Sequence, residues 1–309
     1  QQTLSFDQSA VLYNSVYEQL VECDTIDPFM PLTVFLAVIS AAFLHAIWNA
    51  MVKNEKDKYL GVAAIVFGRV PASIVIIFFI PTPSVESIPY IILSAILHNG
   101  YQWFLLSAYK FGDYTKVYPI ARGTAPILVS IVSLIFLGVV LSNFELLGIF
   151  VVCLGILSLS FQDLESFKNR KAIIYALITG SFIMSYSITD GYGARISTSL
   201  LSYLSWSTIL NAFLFAILLN FMKQPGIITR VAKDGKFIFF VGGTIAYLVY
   251  GIILWGFTQA PIPIVTALRE TSIVFALIIG TLFLKEKFTL LKTVAVLTIF
   301  FGIILLKFM

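Results

Sequence analysis

Long apolar runs separated by short polar connections make up almost the whole chain from residue 30 onward. A helix that crosses a bilayer needs about 20 predominantly apolar residues, and ten of the runs are close to that length or longer. Numbered here as spans 1 to 10, they are residues 31–52, 59–80, 87–109, 117–138, 143–161, 172–194, 198–221, 236–257, 263–284 and 289–308. The pattern predicts an all-α integral membrane protein with ten transmembrane helices.

The two halves of the chain share one pattern, because residues 98–161 moved forward by 147 positions fall on residues 245–308. The move superimposes an arginine, a threonine and a glycine on identical residues: Arg122 on Arg269, Thr124 on Thr271, and Gly155 on Gly302. Each half has an odd number of spans, so the second half must enter the membrane from the opposite side. We therefore predict two inverted five-helix repeats, residues 30–161 and 162–309, around a central cavity, as in many secondary transporters. A chance alignment of apolar helices is the alternative.

Residues 1–29 differ in composition from the rest of the chain. They contain five acidic residues and neither Lys nor Arg. A signal peptide has a positively charged start followed by an apolar core, and this segment has neither. We expect an acidic N-terminal extension and assign it no role.

Basic residues are distributed unequally between the two sets of loops. Three of the 20 Lys and Arg residues lie deep within spans, and all but two of the others lie in loops or at span ends on one side. The two exceptions are Arg195 and Lys307. Because cytoplasmic loops are enriched in Lys and Arg, we predict that the basic side is cytoplasmic and that both termini are outside.

The composition agrees with a membrane protein and excludes several other classes. The chain has 309 residues, of which 59% are hydrophobic and 12% charged, whereas soluble domains carry about 25% charged residues. Its two cysteines, Cys23 and Cys153, do not suggest a disulfide framework, because Cys153 lies inside an apolar run. The sequence contains no motif for a metal, a bound phosphate or a serine nucleophile. We expect no cofactor, no metal site and no nucleic-acid partner.

A few strongly polar residues lie inside the spans. A charged side chain at the centre of a bilayer costs about 2.5 kcal/mol or more, so such residues should face the bundle interior or a wet cavity. We select eleven candidates for substrate binding or coupling: Arg122, Arg269, Glu270, Asp190, His45, Trp48, Asn49, His98, Tyr101, Tyr186 and Arg69. Arg122 and Arg269 occupy equivalent places in the two halves, beside prolines that we expect to interrupt their helices. Arg122 in particular should face the central cavity and not lipid.

The candidates also have structural interpretations. Arg69 could pair with Asp190 or Glu270, or with backbone carbonyls that Pro71 leaves free. Polar side chains such as His45, His98 and Asn49 could simply hydrogen-bond between helices, and the aromatic residues could be packing.

Three stretches of the chain resemble one family. They are FLHAIWNAMVK at residues 43–53, ARGTAPILVSIVSLIFLGVVLSNFELLGIFVVCLGI at 121–156, and ALRETSIVFALIIGTLFLKEKFTLLKTVAVLTIFFGIILL at 267–306. In these the chain resembles ten-span bacterial carriers of the EamA type, which belong to the drug/metabolite transporter superfamily. The resemblance extends over nearly the whole chain from Met30.

The resemblance implies a basket of ten helices, with spans 1, 3, 4, 6, 8 and 9 around a cavity through which small metabolites move by alternating access. Arg122 and Arg269 match recurrent arginines of the family, and Lys285 and Glu286 match its acidic turn between spans 9 and 10. The first half departs from that pattern, since Val139 and Val140 stand where the family often has Gly-Glu. Many members also have cytoplasmic termini, contrary to the distribution of lysines here.

The first functional hypothesis is a secondary transporter for a small polar metabolite of the amino acid, amine or organic acid class. Arg122 and Arg269 would hold a carboxylate or phosphate, because a guanidinium binds such groups bidentately. Asp190 or Glu270 would hold an amine or carry a proton, since buried carboxylates can titrate near neutral pH. Four further side chains would shape the pocket: His45, Trp48, Tyr101 and Tyr186. A zwitterion such as an amino acid fits this lining of mixed charge.

Two other hypotheses remain open. One is a flippase for a lipid-linked sugar or a polyprenyl phosphate on the same scaffold. The other is a membrane enzyme that uses Asp190, His45 and His98, although neither histidine has a carboxylate four positions away. We expect a non-enzymatic, multi-pass protein of the bacterial cytoplasmic membrane whose partners are its substrate, lipid and protons, and which is a monomer or a homodimer.

Overall fold

The computed structural model describes residues 30–112, 114–162, 169–283 and 288–308. These residues form helices and turns, and no strand occurs among them. The predicted acidic extension at 1–29 and the turn residues Lys285 and Glu286 lie outside the described residues. For the described part, the predicted all-helical fold is confirmed.

The helices follow one another with short connections. In chain order the described helices are α1 (Leu32–Asn54), α2 (Lys58–Gly68), α3 (Val70–Ile77), α4 (Ile88–Phe111), α5 (Tyr114–Phe136), α6 (Asn143–Ser158), α7 (Arg170–Ile196), α8 (Leu200–Phe221), α9 (Ile227–Asp234), α10 (Gly243–Gln259), α11 (Ile262–Arg269), α12 (Ser272–Phe283) and α13 (Leu290–Phe308). Two 3₁₀ helices, Val85–Ser87 and Leu159–Gln162, and one π-helical turn, Ile238–Gly242, adjoin them.

Nine helical segments of the described part are long and apolar enough to cross a membrane, judged by length and composition. They correspond to every predicted span except span 3. Span 3 is α4, which has 24 residues but contains the polar residues His98, Asn99 and Gln102 near its middle. An integral membrane protein is thereby confirmed, whereas the total of ten spans and the inverted repeats stay predictions.

Polar side chains determine where some helices begin. The carboxylate of Asp57 accepts hydrogen bonds from the backbone N–H of Tyr59 at 2.9 Å and of Leu60 at 3.2 Å, at the start of α2. Ser142 and Glu145 form a reciprocal capping box at the start of α6. Such caps satisfy N–H groups for which the first helical turn provides no partner.

Two of the predicted spans break along their length, and each break holds a candidate residue. Arg69 separates α2 from α3 in span 2, where Pro71 lacks an N–H and crowds the preceding turn. Glu270 and Thr271 separate α11 from α12 in span 9. Broken helices free backbone groups, and in membrane proteins such places commonly lie at binding sites.

The prolines of spans 4 and 9 do not interrupt their helices, so that part of the sequence prediction is wrong. Pro119 and Pro126 both lie inside the continuous helix α5. A proline removes only its own N–H donor, and a membrane helix tolerates that loss where neighbouring groups compensate for it. Pro261 and Pro263 lie at the start of α11, where an N–H has no helical partner in any case.

The backbones of α2 and α10 approach each other at two glycines. A Cβ at Gly68 would lie 2.1 Å from the carbonyl oxygen of Phe239, and a Cβ at Gly243 would lie 2.4 Å from the backbone of Gly68. Only glycine fits at such distances. The contact fixes the end of α2, and with it Arg69, against the π-helical turn that precedes α10.

Candidate functional site

A cavity lies among α1, α2, α4, α5, α7, α10 and α11, with about 930 Å³ of empty space including its open mouth. Nine of the eleven candidate residues line it: His45, Trp48, Asn49, Arg69, His98, Tyr101, Arg122, Tyr186 and Arg269. The other two, Asp190 and Glu270, are fully buried behind lining residues that they contact. α2 also contributes to the wall, so span 2 joins the six spans that the family resemblance implied.

The cavity extends from the middle of the bundle toward one side. On α1 the lining runs from His45 to Val52, and on α4 it runs from His98 to Tyr109. Both stretches therefore run from the middle of a helix toward its C-terminal end. Those ends precede loops that contain several lysines, on the side that the distribution of basic residues predicts to be cytoplasmic.

One carboxylate lies between two guanidinium groups, and we call Arg122, Arg269 and Glu270 the arginine cluster. Arg122 Nε and Glu270 Oε2 are 2.5 Å apart, an ion pair in which this N–H is not aligned as a hydrogen bond. Arg269 Nε donates to Glu270 Oε1 at 3.3 Å, and Arg269 Nη2 lies 3.3 Å from the same oxygen. The exposed fractions of the three residues are 3%, 2% and 0%. Removing Glu270 would leave two buried positive charges without a compensating charge in the cluster.

The arginine cluster brings together the two predicted repeats. Arg122 is presented by α5, whereas Arg269 is the last residue of α11 and Glu270 is the residue that follows it. The C-terminal end of a helix favours a cation, which suits Arg269 at that position. A shift of 147 positions relates the two arginines in sequence, and Glu270 joins them in space.

His45 and Tyr118 surround the guanidinium of Arg122. Arg122 Nη2 lies 3.3 Å from His45 Nε2, and because a guanidinium only donates, this ring nitrogen must accept and His45 is neutral. The Arg122 guanidinium also lies over the Tyr118 ring, 5.5 Å from its centroid. Asn49 Nδ2 donates to Tyr118 Oη at 3.2 Å. The rings of Trp48 and His45 are packed edge to face, with their centroids 4.7 Å apart.

A second buried group, which we call the aspartate cluster, consists of Asp190, His98, Tyr203 and Tyr250. His98 Nε2 lies 3.0 Å from Asp190 Oδ2, and Tyr203 Oη donates to Asp190 Oδ1 at 2.8 Å. Tyr250 Oη also donates to Asp190 Oδ2 and lies 3.1 Å from His98 Nε2. An ionised carboxylate only accepts hydrogen bonds, so these neighbours act as its donors. Asp190 is fully buried, whereas His98 and Tyr250 face the cavity.

Arg69 does not form the ion pairs that we considered from sequence. In the described part of the chain, neither Asp190 nor Glu270 pairs with it. Its guanidinium lies 5.1 Å from the centroid of the Tyr250 ring, and its Nη2 donates to Thr208 Oγ1 at 3.3 Å. Because Arg69 lies in the break between α2 and α3, it extends toward α8 and α10.

Sequence reasoning missed three residues of the site: Tyr118, Tyr203 and Tyr250. Tyr250 lies within span 8, but nothing in its spacing indicates a partner 60 residues away at Asp190. The enzyme hypothesis looked for a carboxylate near each histidine along one helix, whereas His98 meets Asp190 across two helices. Among the described residues, no group of three or more His, Cys, Asp or Glu side chains could hold a metal ion.

Residues 170–308 match the EamA-like transporter family, which covers most of the second predicted repeat. One solved structure, described only as a crystal structure of a protein, superposes with a TM-score of 0.66 over 88% of this chain and 94% of that chain. The two sequences are 15% identical, so the likeness shows a shared fold alone. No curated protein matches this sequence.

Proposed function

We propose that the protein carries a small carboxylate-bearing metabolite across the membrane by alternating access. The proposal starts from the match of residues 170–308 to the EamA-like transporter family, which belongs to the drug/metabolite transporter superfamily. The observation behind this proposal is the pair Arg122 and Arg269 on the wall of one cavity. Members of that family are transporters, so the match supports transport, and the proposal adds a substrate class and a mechanism.

The chemistry of the wall suits a carboxylate. A guanidinium binds a carboxylate through two parallel N–H donors, and the cavity presents two such groups from different helices. Trp48, Tyr101 and Tyr186 add aromatic surface beside them. A pocket that is mostly apolar with a few converging polar groups is typical of small-molecule sites.

Contacts on the opposite side of the bundle support alternating access. Arg195, in the last turn of α7, donates from Nε and Nη2 to the carbonyl oxygen of Phe257 in α10, at 3.0 and 2.8 Å. Ser84 Oγ donates to the carbonyl oxygen of Ile196 at 2.9 Å. These bonds hold helix ends together on the side away from the mouth. In an alternating-access cycle they would break when the mouth closes.

The aspartate cluster supports proton coupling. Asp190 is buried, so its charge depends on the hydroxyl and imidazole groups around it, and His98 connects it to the cavity. A buried carboxylate next to an imidazole is a group that can take up and release a proton during a transport cycle. We propose this pair as the proton-binding unit.

Packing between α6 and α13 supports the proposed inverted repeats. A Cβ at Gly155 would lie 3.0 Å from the carbonyl oxygen of Ala295, and a Cβ at Gly302 would lie 2.9 Å from that of Gly148. The same shift of 147 positions relates Gly148 to Ala295 and Gly155 to Gly302. The contact therefore maps onto itself when the halves are exchanged, as expected of a two-fold interface.

The proposal is tested by counterflow in proteoliposomes that contain the purified protein. Labelled carboxylates, including amino acids and organic acids, should exchange into loaded vesicles with the wild-type protein. R122Q and R269Q should abolish the exchange, and E145Q, a change in the capping box of α6, should leave it intact. Thermal stability with and without ligand would show that each variant is folded, because a bound ligand raises apparent stability.

The same experiment separates transport from lipid flipping. If only polyprenyl phosphates or lipid-linked sugars stabilise the protein and no water-soluble carboxylate exchanges, the flippase hypothesis replaces this one. The same holds if folded R122Q and R269Q variants exchange carboxylates as fast as the wild-type protein.

A further inference from the structure

The arginine cluster has an unbalanced charge. Arg122 and Arg269 contribute two positive charges and Glu270 one negative charge, so the cluster has a net charge of plus one in an almost fully buried position. His45 adds nothing, because it accepts a hydrogen bond from Arg122 as the neutral imidazole. Arg69 and Asp190, elsewhere around the cavity, contribute one charge of each sign, so the sum around the cavity is unchanged.

Both arginines of the cluster also belong to the cavity wall. Arg122 Nε and Arg269 Nη2 lie 2.5 and 3.3 Å from oxygens of Glu270 as ion pairs without an aligned hydrogen bond. An uncompensated charge in a buried position is costly. One further anion in the cavity would balance the charge of the cluster.

Each carboxylate in the described part of the site already lies against neighbouring charged or donor groups. Oε1 of Glu270 accepts a hydrogen bond from Arg269, and Oε2 lies 2.5 Å from Arg122 Nε as an ion pair. Both oxygens of Asp190 accept from Tyr203, Tyr250 and His98. A zwitterion would therefore bring a positive charge into a wall that has an excess of positive charge.

Building on the proposed function, we infer that Glu270 sets the charge of the substrate to a single negative charge. By neutralising one of two arginines, it leaves the site suited to a monocarboxylate rather than a dicarboxylate or an amino acid. This inference departs from the zwitterion that the sequence favoured. It makes Glu270 a specificity-determining residue that need not touch the substrate, because it acts through both arginines.

The test is ligand-induced thermal stabilisation of the purified full-length protein with two panels of matched charge. One panel is butyrate, succinate and 4-aminobutyrate, and the other is 3-phenylpropionate, phenylsuccinate and phenylalanine. In each panel the wild-type protein should bind the monoanion with an affinity at least about tenfold higher than the dianion or the zwitterion, since desolvated charges interact strongly. In E270Q the affinity for the dianion relative to that for the monoanion should rise by at least about tenfold.

The controls separate charge from shape. The double variant R122Q/E270Q restores the net charge of plus one through Arg269, so its preference should return to the monoanion. E145Q makes the same chemical change outside the cavity and should keep the wild-type preference. If E270Q alone does not fold, R122Q/E270Q still tests the inference. A preference of this double variant for zwitterions or dianions would overturn it.

The results that would contradict this inference alone differ from those that would also contradict the proposed function. If the wild-type protein prefers zwitterions or dianions, and R122Q and R269Q abolish that binding, the proposed carboxylate site stands and charge selection by Glu270 is wrong. If E270Q does not change the preference, the inference also fails. If no carboxylate of either panel binds and none exchanges in vesicles, both the inference and the proposed function fail.

Discussion

Tyr186 lies face to face with His98, with ring centroids 4.0 Å apart and ring planes 19° from parallel. The same tyrosine ring lies 5.9 Å from the guanidinium carbon of Arg269. His98 belongs to the aspartate cluster and Arg269 to the arginine cluster, so one aromatic ring contacts both. A change of charge on His98 therefore occurs directly beside the ring that borders the proposed carboxylate site.

We predict that Tyr186→Ala uncouples the proton from the substrate. The variant should still exchange substrate in counterflow, because both arginines remain, but a pH gradient should no longer drive accumulation. Loss of the stacked ring should also lower stability, since an aromatic pair contributes about 0.5–1.5 kcal/mol beyond its buried area. Uptake into vesicles with and without an imposed pH gradient measures the effect.

Tyr186→Phe is the matched control for that prediction. It retains the ring that stacks on His98 and borders Arg269, and it removes only the hydroxyl. Accumulation driven by the pH gradient should persist in this variant. Equal loss of coupling in both variants would assign the effect to the hydroxyl and contradict a role for the ring.

The second prediction concerns Asp190. Asp190→Asn removes the group that would bind the proton, so substrate should exchange without dependence on an imposed pH gradient. Stability should fall as well, because an amide has one acceptor oxygen where the carboxylate serves Tyr203, Tyr250 and His98. Proton movement measured with a pH-sensitive dye during exchange would check this.

Tyr203→Phe provides the comparison for Asp190. It removes one hydrogen bond to the same carboxylate and should cost about 0.5–1.5 kcal/mol of stability, but the carboxylate stays. Gradient-driven uptake should therefore continue. If Asp190→Asn still moved protons with substrate, the proposed proton-binding unit would be wrong.

The third prediction concerns the closed side of the bundle. Arg195→Gln weakens the two bonds to the carbonyl oxygen of Phe257, so it should shift the population toward a state open on that side. Hydrogen exchange at the C-terminal end of α10 should become faster. Lys307→Gln, which removes a 2.7 Å bond to the carbonyl oxygen of Met30 at another position, should leave exchange in α10 unchanged.

The membrane helices and the shared arginines could be predicted because both depend only on which residues follow one another in the sequence. Hydropathy identifies a helix without knowledge of its neighbours, and a constant shift of 147 positions relates Arg122 to Arg269. The inward position of the charged residues also follows from the cost of placing charge in lipid.

The partners of those residues could not be predicted in the same way. His98 meets Asp190 across 92 positions, and Arg69 extends to Thr208 across 139, so the pairing depends on how helices pack. The break at Glu270 has no proline beside it, whereas Pro119 and Pro126 lie in an unbroken helix. In spans 4 and 9 the positions of the prolines therefore gave the wrong positions for the interruptions, whereas in span 2 the break lies beside Pro71.

The fourth prediction tests the self-matching contact between α6 and α13. Gly302→Ala would place a Cβ 2.7 Å from Val152 Cγ2 and 2.9 Å from the carbonyl oxygen of Gly148, so backbone as well as side chain must move. Overpacking of this kind typically costs about 1–3 kcal/mol. Gly155→Ala, its counterpart in the other half, meets Ile299 Cγ1 at 2.7 Å and the carbonyl oxygen of Ala295 at 3.0 Å and should destabilise the protein by a similar amount.

The comparison for this pair is Gly251→Ala in the interior of α10, where a Cβ would contact only the flexible Leu204 side chain, at 3.2 Å. Alanine favours a helix over glycine by about 1 kcal/mol, so this variant should be as stable as the wild-type protein or more stable. Thermal unfolding in detergent measures all three. Because a two-fold interface weakens equally from either side, markedly different losses for Gly155→Ala and Gly302→Ala would contradict the inverted-repeat proposal.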